Sequence, residues 1–272
     1  MVEPARYVFD DRDPRAPAQE VWDRLDASAR ARHVAALPSE IQRASPPEGD
    51  QHWNAKRHLR EALDEYFRRI SRRVYLSCEL PVYYPDEPVF APDLIAVCDA
   101  ELHERMRWVV SDEQRGPDVA LEIHVAGDAN KDFALNVARY ARLGIPEYFA
   151  YDLGKRRLAG WRLAERGASY VPLVPQEGRW RSNVLDLDLT LDEAGIRFFH
   201  GSAPLPDARE LISRLSSMVD DAVRRAEEES RRAEEESRRA EEESRRAEEE
   251  SRRAEALAAR LRALGVDPDA DA

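Results

Sequence analysis

Four consecutive copies of Arg-Arg-Ala-Glu-Glu-Glu-Ser run from Arg224 to Ser251, and no other stretch leaves so little freedom in what it can become. The period of seven places a glutamate four residues before an arginine, as in Glu227/Arg231 and Glu228/Arg232. That orientation suits a helical ion pair, worth about 0.2–0.5 kcal/mol each. No glycine or proline interrupts the pattern before Gly265. The segment therefore predicts one helix of at least ~30 residues, ~45 Å long at ~1.5 Å per residue. Ala226, Ser230, Ala233, Ser237, Ala240 and Ser244 recur at the 4-3 spacing of a coiled-coil seam. Two readings of the helix stay open: a solvated rod held by its own ion pairs, or a homodimerising coil helped by Leu257, Leu261 and Leu264.

Composition matters here because of what it excludes. The 272-residue chain is 35% charged, against roughly 25% for an average soluble protein, and carries a net charge of −12. Residues 224–272 hold 12 basic and 16 acidic residues, so the remainder still carries −8. A uniformly basic coat for nucleic acid is excluded, whereas a local basic groove is not. No run approaches the ~18 apolar residues of a membrane span, and the start, MVEPARYVFDDRD, lacks the apolar stretch of a signal peptide. The expectation is a cytoplasmic protein with no membrane association. Cys78 and Cys98 lie inside apolar runs without CxxC spacing, which reads as buried thiols in a reducing compartment.

Three regions follow from the patterning: a helical arm over 1–50, a core domain over 51–205, and the charged helix over 206–272. An amphipathic helix is predicted from about His52 to Ile70, with Trp53, Leu59, Leu63, Tyr66, Phe67 and Ile70 as its apolar side. Strand patterns follow in VYLSCEL, APDLIAVCD and GPDVALEIHV, then a helix from about Lys131 to Leu143 ended by Gly144. IPEYFAYD, RRLAGWRL, ASYVPLVP and VLDLDLTL complete the strands. The order predicts an α/β (α+β) domain with a mixed central sheet flanked by helices.

Acids in apolar strands stand out, because a lone buried carboxylate is costly. Asp93 heads an apolar strand behind Pro92, Glu122 interrupts an aliphatic one, and Asp118 lies four residues earlier on the face of Glu122. Two carboxylates converging on a sheet suit a magnesium ion, which takes oxygen ligands and keeps several waters. The plainer readings stay beside this one. Asp93 can cap a turn, Glu122 can sit on a solvated face, Asp118 behind Gly116-Pro117 suits turn chemistry, and His124 can be structural.

These residues carry a resemblance. Pro92-Asp93 followed by Glu122-Ile123-His124 resembles the P-D…(D/E)-x-K signature of the PD-(D/E)XK nuclease superfamily. The wider context, PDLIAVCDA and then GPDVALEIHVAGDANKDFALNVARYARLGIPEYFAYD, resembles its bacterial restriction endonuclease branch. The resemblance implies a restriction-endonuclease-like core and Mg2+-dependent hydrolysis of DNA, with Mn2+ as a second candidate ion. It implies Asp93 and Glu122 as metal ligands, with the backbone carbonyl near Ile123 completing the set. The signature lysine is replaced by His124, which lacks a fixed positive charge near neutral pH. Lys131, at the start of the following helix, is the nearest substitute, and Asn136 stands where many members carry a lysine. The candidate catalytic residues are thus Asp93, Glu122, His124 and Lys131. DNA contacts would fall to Arg57, Arg60, Arg68, Arg69, Arg72, Arg73, Arg139, Arg142, Lys155, Arg156 and Arg157. The competing expectation is a catalytically degraded nuclease fold that acts as a binding or assembly module through its C-terminal helix.

Overall fold

The computed structural model describes residues 13–40, 49–125, 127, 129–164, 169–206 and 208–263. The expected helical arm over 1–50 falls in part on 1–12 and 41–48, and Leu264 of the expected coil on 264–272; these lie outside the described residues. The chain divides into two units, Met1–Ala208 and Arg209–Ala272.

In the first unit, α1 (Gln19–Asp23) and α2 (Ala27–Ala36) precede α3 (Asp50–Arg69). Then come β1 (Val74–Ser77), β2 (Val82–Tyr83), β3 (Leu94–Cys98), β4 (Trp108–Val109), α4 (Val110–Glu113) and β5 (Val119–His124). A π-helical turn, Lys131–Leu135, leads into α5 (Asn136–Arg142) and β6 (Glu147–Asp152). The remaining strands are β7 (Arg157–Leu163), β8 (Tyr170–Pro172), β9 (Trp180–Ser182), β10 (Leu187–Asp192), β11 (Gly195–His200) and β12 (Ala203–Pro204).

The central sheet has the order β1-β3-β5-β6-β7-β8. Only β5 and β6 are parallel within it; the other neighbours are antiparallel. A parallel pair needs a crossover, and the π turn with α5 supplies it. A second sheet, β12-β11-β10-β9, and the parallel pair β2-β4 complete the strands. This is the expected mixed α/β architecture. Strands β2, β4, β9 and β12 are too short for their alternation to register in sequence.

Both faces of the central sheet are covered, so β3 and β5 read as near-continuous apolar runs. On one face, Leu94, Ala96, Leu121, Ile123 and Phe149 pack with Leu59, Leu63 and Phe67 of α3 and with Leu187, Leu189, Ile196 and Phe198 of the second sheet. On the other, Ile95, Val97, Ala120, Tyr148 and Ala150 pack with Tyr140 and Ile145. Buried Glu147 ties the two sheets together: its carboxylate accepts from the Arg162 side chain and from the Asn183 backbone, each at 2.9 Å. The described part of the N-terminal arm is not a free extension. Trp22 and Leu37 pack with Tyr83 and Val109, and the Tyr83 hydroxyl donates to the Pro38 carbonyl at 2.8 Å.

A single helix of 56 residues, α6 (Ala208–Ala263), starts at the last residue of the first unit and makes up the described part of the second. Ile212, Leu215, Met218, Val219, Val223 and Leu257 are exposed along it. No helix of the described residues is long and apolar enough to cross a membrane.

Candidate active site

Antiparallel pairing of β3 with β5 brings the two signature acids together. The register pairs Leu94 with Leu121, so the next position sets Asp93 opposite Glu122. Alternation puts both on the face covered by α5, together with Ile95 and Ala120. Both are buried, at 8% and 6% exposure.

Each carboxylate is held in place. One oxygen of Asp93, Oδ2, accepts the Ile123 backbone N–H at 2.6 Å. The other, Oδ1, lies 3.1 Å from His52 Nε2 on the first turns of α3. This contact with Asp93 holds the His52 pKa above its ordinary value. Glu122 Oε1 accepts from the Tyr140 hydroxyl at 2.6 Å and from Asn136 Nδ2 at 3.2 Å. Burial pushes the Glu122 carboxyl up to about 8, and the neighbouring Asp93 charge adds to the rise.

The crossover helix differs from expectation in a way that matters. The expected helix from Lys131 to Leu143 starts as a π turn. Asp132, Asn136 and Tyr140 then lie at spacings of four on one buried line facing β5. The Asn136 amide bridges Glu122 Oε1 and Asp132 Oδ1, at 3.2 Å to each. Asp132 Oδ2 lies 3.3 Å from His124 Nδ1, and Lys131 Nζ lies 3.8 Å from Asp132 Oδ1. Both candidates for the lysine slot thus meet the same carboxylate, His124 nearly buried and Lys131 with 54% of its side chain exposed. Burial raises the Asp132 pKa, opposed by the charges of Lys131 and His124.

Asp132 and His52 are the residues that sequence reasoning missed. The i, i+4, i+8 spacing of Asp132, Asn136 and Tyr140 was a usable signal. His52 had none, since its partner lies on a distant strand. Asp118 belongs to the scaffold, as its Gly-Pro setting suggested: Oδ2 accepts the Cys98 N–H and an Arg115 N–H, each at 2.8 Å. Several arginines proposed for DNA are also structural. Arg72 donates to the Val184 and Leu185 carbonyls, Arg139 and Arg142 bind Glu87, and Arg156 donates to the Asp192 and Glu193 carbonyls. Arg60, Arg69, Arg73 and Lys155 are exposed. Cys98 is buried and Cys78 half-buried, and burial pushes the Cys78 thiol up to about 11.

A sequence family described as "Uma2: Putative restriction endonuclease" matches residues 22–194, which span the whole of this site. The chain belongs to the Uma2 family. The resemblance to PD-(D/E)XK restriction endonucleases therefore holds at the level of the family. A solved structure, described as "a putative nuclease belonging to DUF820 from Anabaena variabilis", is 12% identical, with a TM-score of 0.42, and is covered over 54% of this chain and 79% of that one. No curated protein matches the chain significantly.

Nucleases of this type use divalent metals, and the Uma2 site passes a chemical test for one. Two buried carboxylates share one face; burial first, and the Asp93 charge second, raise the Glu122 pKa, so Glu122 holds a proton more tightly than an ordinary glutamate. A cation would take the place of that proton. Among the described residues, no group of three or more His, Cys, Asp or Glu side chains is arranged to hold a metal. The side-chain oxygens that Asp93 and Glu122 offer there are of the type taken by an ion that retains several waters.

Proposed function

We propose that this Uma2 chain is an endonuclease that hydrolyses DNA phosphodiester bonds with the help of Mg2+, or alternatively Mn2+. The observation that carries the reading is the cross-strand placement of Asp93 opposite Glu122 on one buried face, in a chain of a restriction endonuclease family. Asp93 and Glu122 would hold the ion, with the Ile123 backbone carbonyl as the third protein ligand. When bound, such an ion neutralises the phosphate and makes a bound water more acidic.

The protein's own groups do the positioning. The Ile123 N–H fixes the Asp93 rotamer, and Tyr140 and Asn136 fix that of Glu122. His124 or Lys131 fills the place of the missing lysine, orienting water or phosphate. The exposed Arg60, Arg69, Arg73 and Lys155 are the candidates for backbone contacts to DNA. With a net charge of −12, non-specific affinity should be weak and fall steeply with salt.

One observation favours the rival, a degraded nuclease fold that binds without cutting: a neutral amide, Asn136, occupies the space between Glu122 and Asp132. Plasmid nicking separates the two readings. Wild type with Mg2+ or Mn2+ should nick supercoiled DNA, while Asp93→Ala and Glu122→Ala should each lose at least ~10²-fold, the scale of a directly acting group. Equal nicking by all three proteins would remove the enzyme reading.

A further inference from the structure

We infer that Asp132 is a positioning residue that holds His124 as the Nδ1–H tautomer, so that Nε2 is left to accept a hydrogen bond from the attacking water. The role in water placement rests on the nuclease reading above; the dyad itself rests on geometry.

Asp132 is 7% exposed, and its contacts sort its two oxygens. Oδ1 accepts from Asn136 Nδ2 at 3.2 Å, and the Asp132 backbone carbonyl accepts from the Tyr148 hydroxyl at 2.7 Å. That pinning leaves Oδ2 toward His124 Nδ1 at 3.3 Å. An ionised carboxylate only accepts, so the imidazole nitrogen facing it carries the hydrogen. In a neutral imidazole the other nitrogen is then an acceptor. The ring also lies on the right face: His124 is two residues beyond Glu122 on β5 and projects to the same side of the sheet.

The backbone shows how Asp132 comes to be there. It sits in a π-helical turn, Lys131–Leu135, inserted ahead of α5. Such turns are uncommon and occur often at functional sites. Lys131, the other candidate for the lysine slot, is half exposed and farther from the shared carboxylate. Asp132 therefore selects His124, and the Lys131 contact is peripheral.

The test uses the full-length chain and the isosteric variant Asp132→Asn, with thermal melts as a folding control. In metal-free protein labelled with 15N-histidine, the wild-type His124 should show a protonated Nδ1 and an unprotonated Nε2. Asp132→Asn should shift the ring toward Nε2–H. Mn2+ binding, measured by titration calorimetry, should change by less than ~3-fold in Asp132→Asn, because Asp132 is not a ligand. Plasmid cleavage by this variant should fall at least ~10²-fold in kcat with little change in KM, the pattern of a wrong tautomer. A wild-type His124 that is Nε2–H would overturn the dyad, whether or not the protein cleaves DNA. Loss of Mn2+ affinity beyond ~10-fold in Asp132→Asn would also overturn it, by making Asp132 a ligand. A wild type with the expected tautomer but no cleavage would overturn the water role together with the nuclease reading.

Discussion

Glu122 is a buried carboxyl that resists ionisation near neutral pH. Burial, followed by the nearby Asp93, pushes its pKa up to about 8, while the Tyr140 hydroxyl pulls the other way. A carboxyl whose folded-state pKa is raised binds its proton more tightly in the folded chain. Its stabilising contribution is complete below about 4.5, the pKa of an ordinary glutamate, and is lost as pH rises from there through about 8. Glu122→Gln keeps an oxygen for Tyr140 and Asn136 and removes the ionisation. In EDTA, the variant should be more stable than wild type at pH 9 by at least about 1.4 kcal/mol, the equivalent of one pKa unit. The advantage should vanish by pH 5. Urea denaturation at the two pH values measures it, and a variant less stable than wild type at pH 9 would contradict the assignment.

At the scale of elements, the site depends on strand register, and register depends on close packing between neighbours. Phe149 of β6 is fully buried and pairs directly with Gly160 of β7. A Cβ at Gly160 would lie 2.8 and 2.9 Å from two carbons of the Phe149 ring, and a ring locked in the core cannot swing aside. Gly160→Ala should therefore cost about 1–3 kcal/mol, the range for overpacking a core. Chemical denaturation reads the loss directly. A neutral result would mean that β6 and β7 can separate locally, and the parallel β5–β6 pair beside them would then be a looser support for Glu122 than the fold suggests.

For the whole molecule, the question is what α6 adds to the first unit. The three described apolar clusters draw only on residues up to Leu205, so none of their members lies beyond Val223. Deleting everything after Val223 should leave the melting temperature of the rest within ~2 °C. The deleted segment also carries most of the seam. Ala226 and Ser230 on the seam are flanked by Glu227 and Glu229, and the same holds in each repeat. Two copies joined along this face would bring glutamates opposite glutamates, which disfavours pairing near neutral pH. Self-association of the full chain should therefore strengthen as pH falls toward 4, and should be absent at every pH after the deletion. Sedimentation velocity tests both, and a dimer that survives the truncation would place the interface elsewhere.

Features set by residues close together along the chain were legible before any fold was known. Helix α6 was legible because each Glu–Arg pair and each missing glycine or proline acts within one or two turns. Strands β3 and β5 were legible because burial on both faces demands unbroken apolar side chains, and Asp93 and Glu122 because an acid in such a run is costly. Tertiary structure decided what those acids touch. The register that sets Asp93 opposite Glu122 pairs strands joined by a long connection, and His52 reaches Asp93 from a helix some forty residues away. Asp132 meets His124 because the crossover packs it against β5 together with Asn136 and Tyr140. Such contacts are chosen by the packing of whole elements, where the cost of leaving a buried polar group unpaired is met by whichever partner the fold brings within reach.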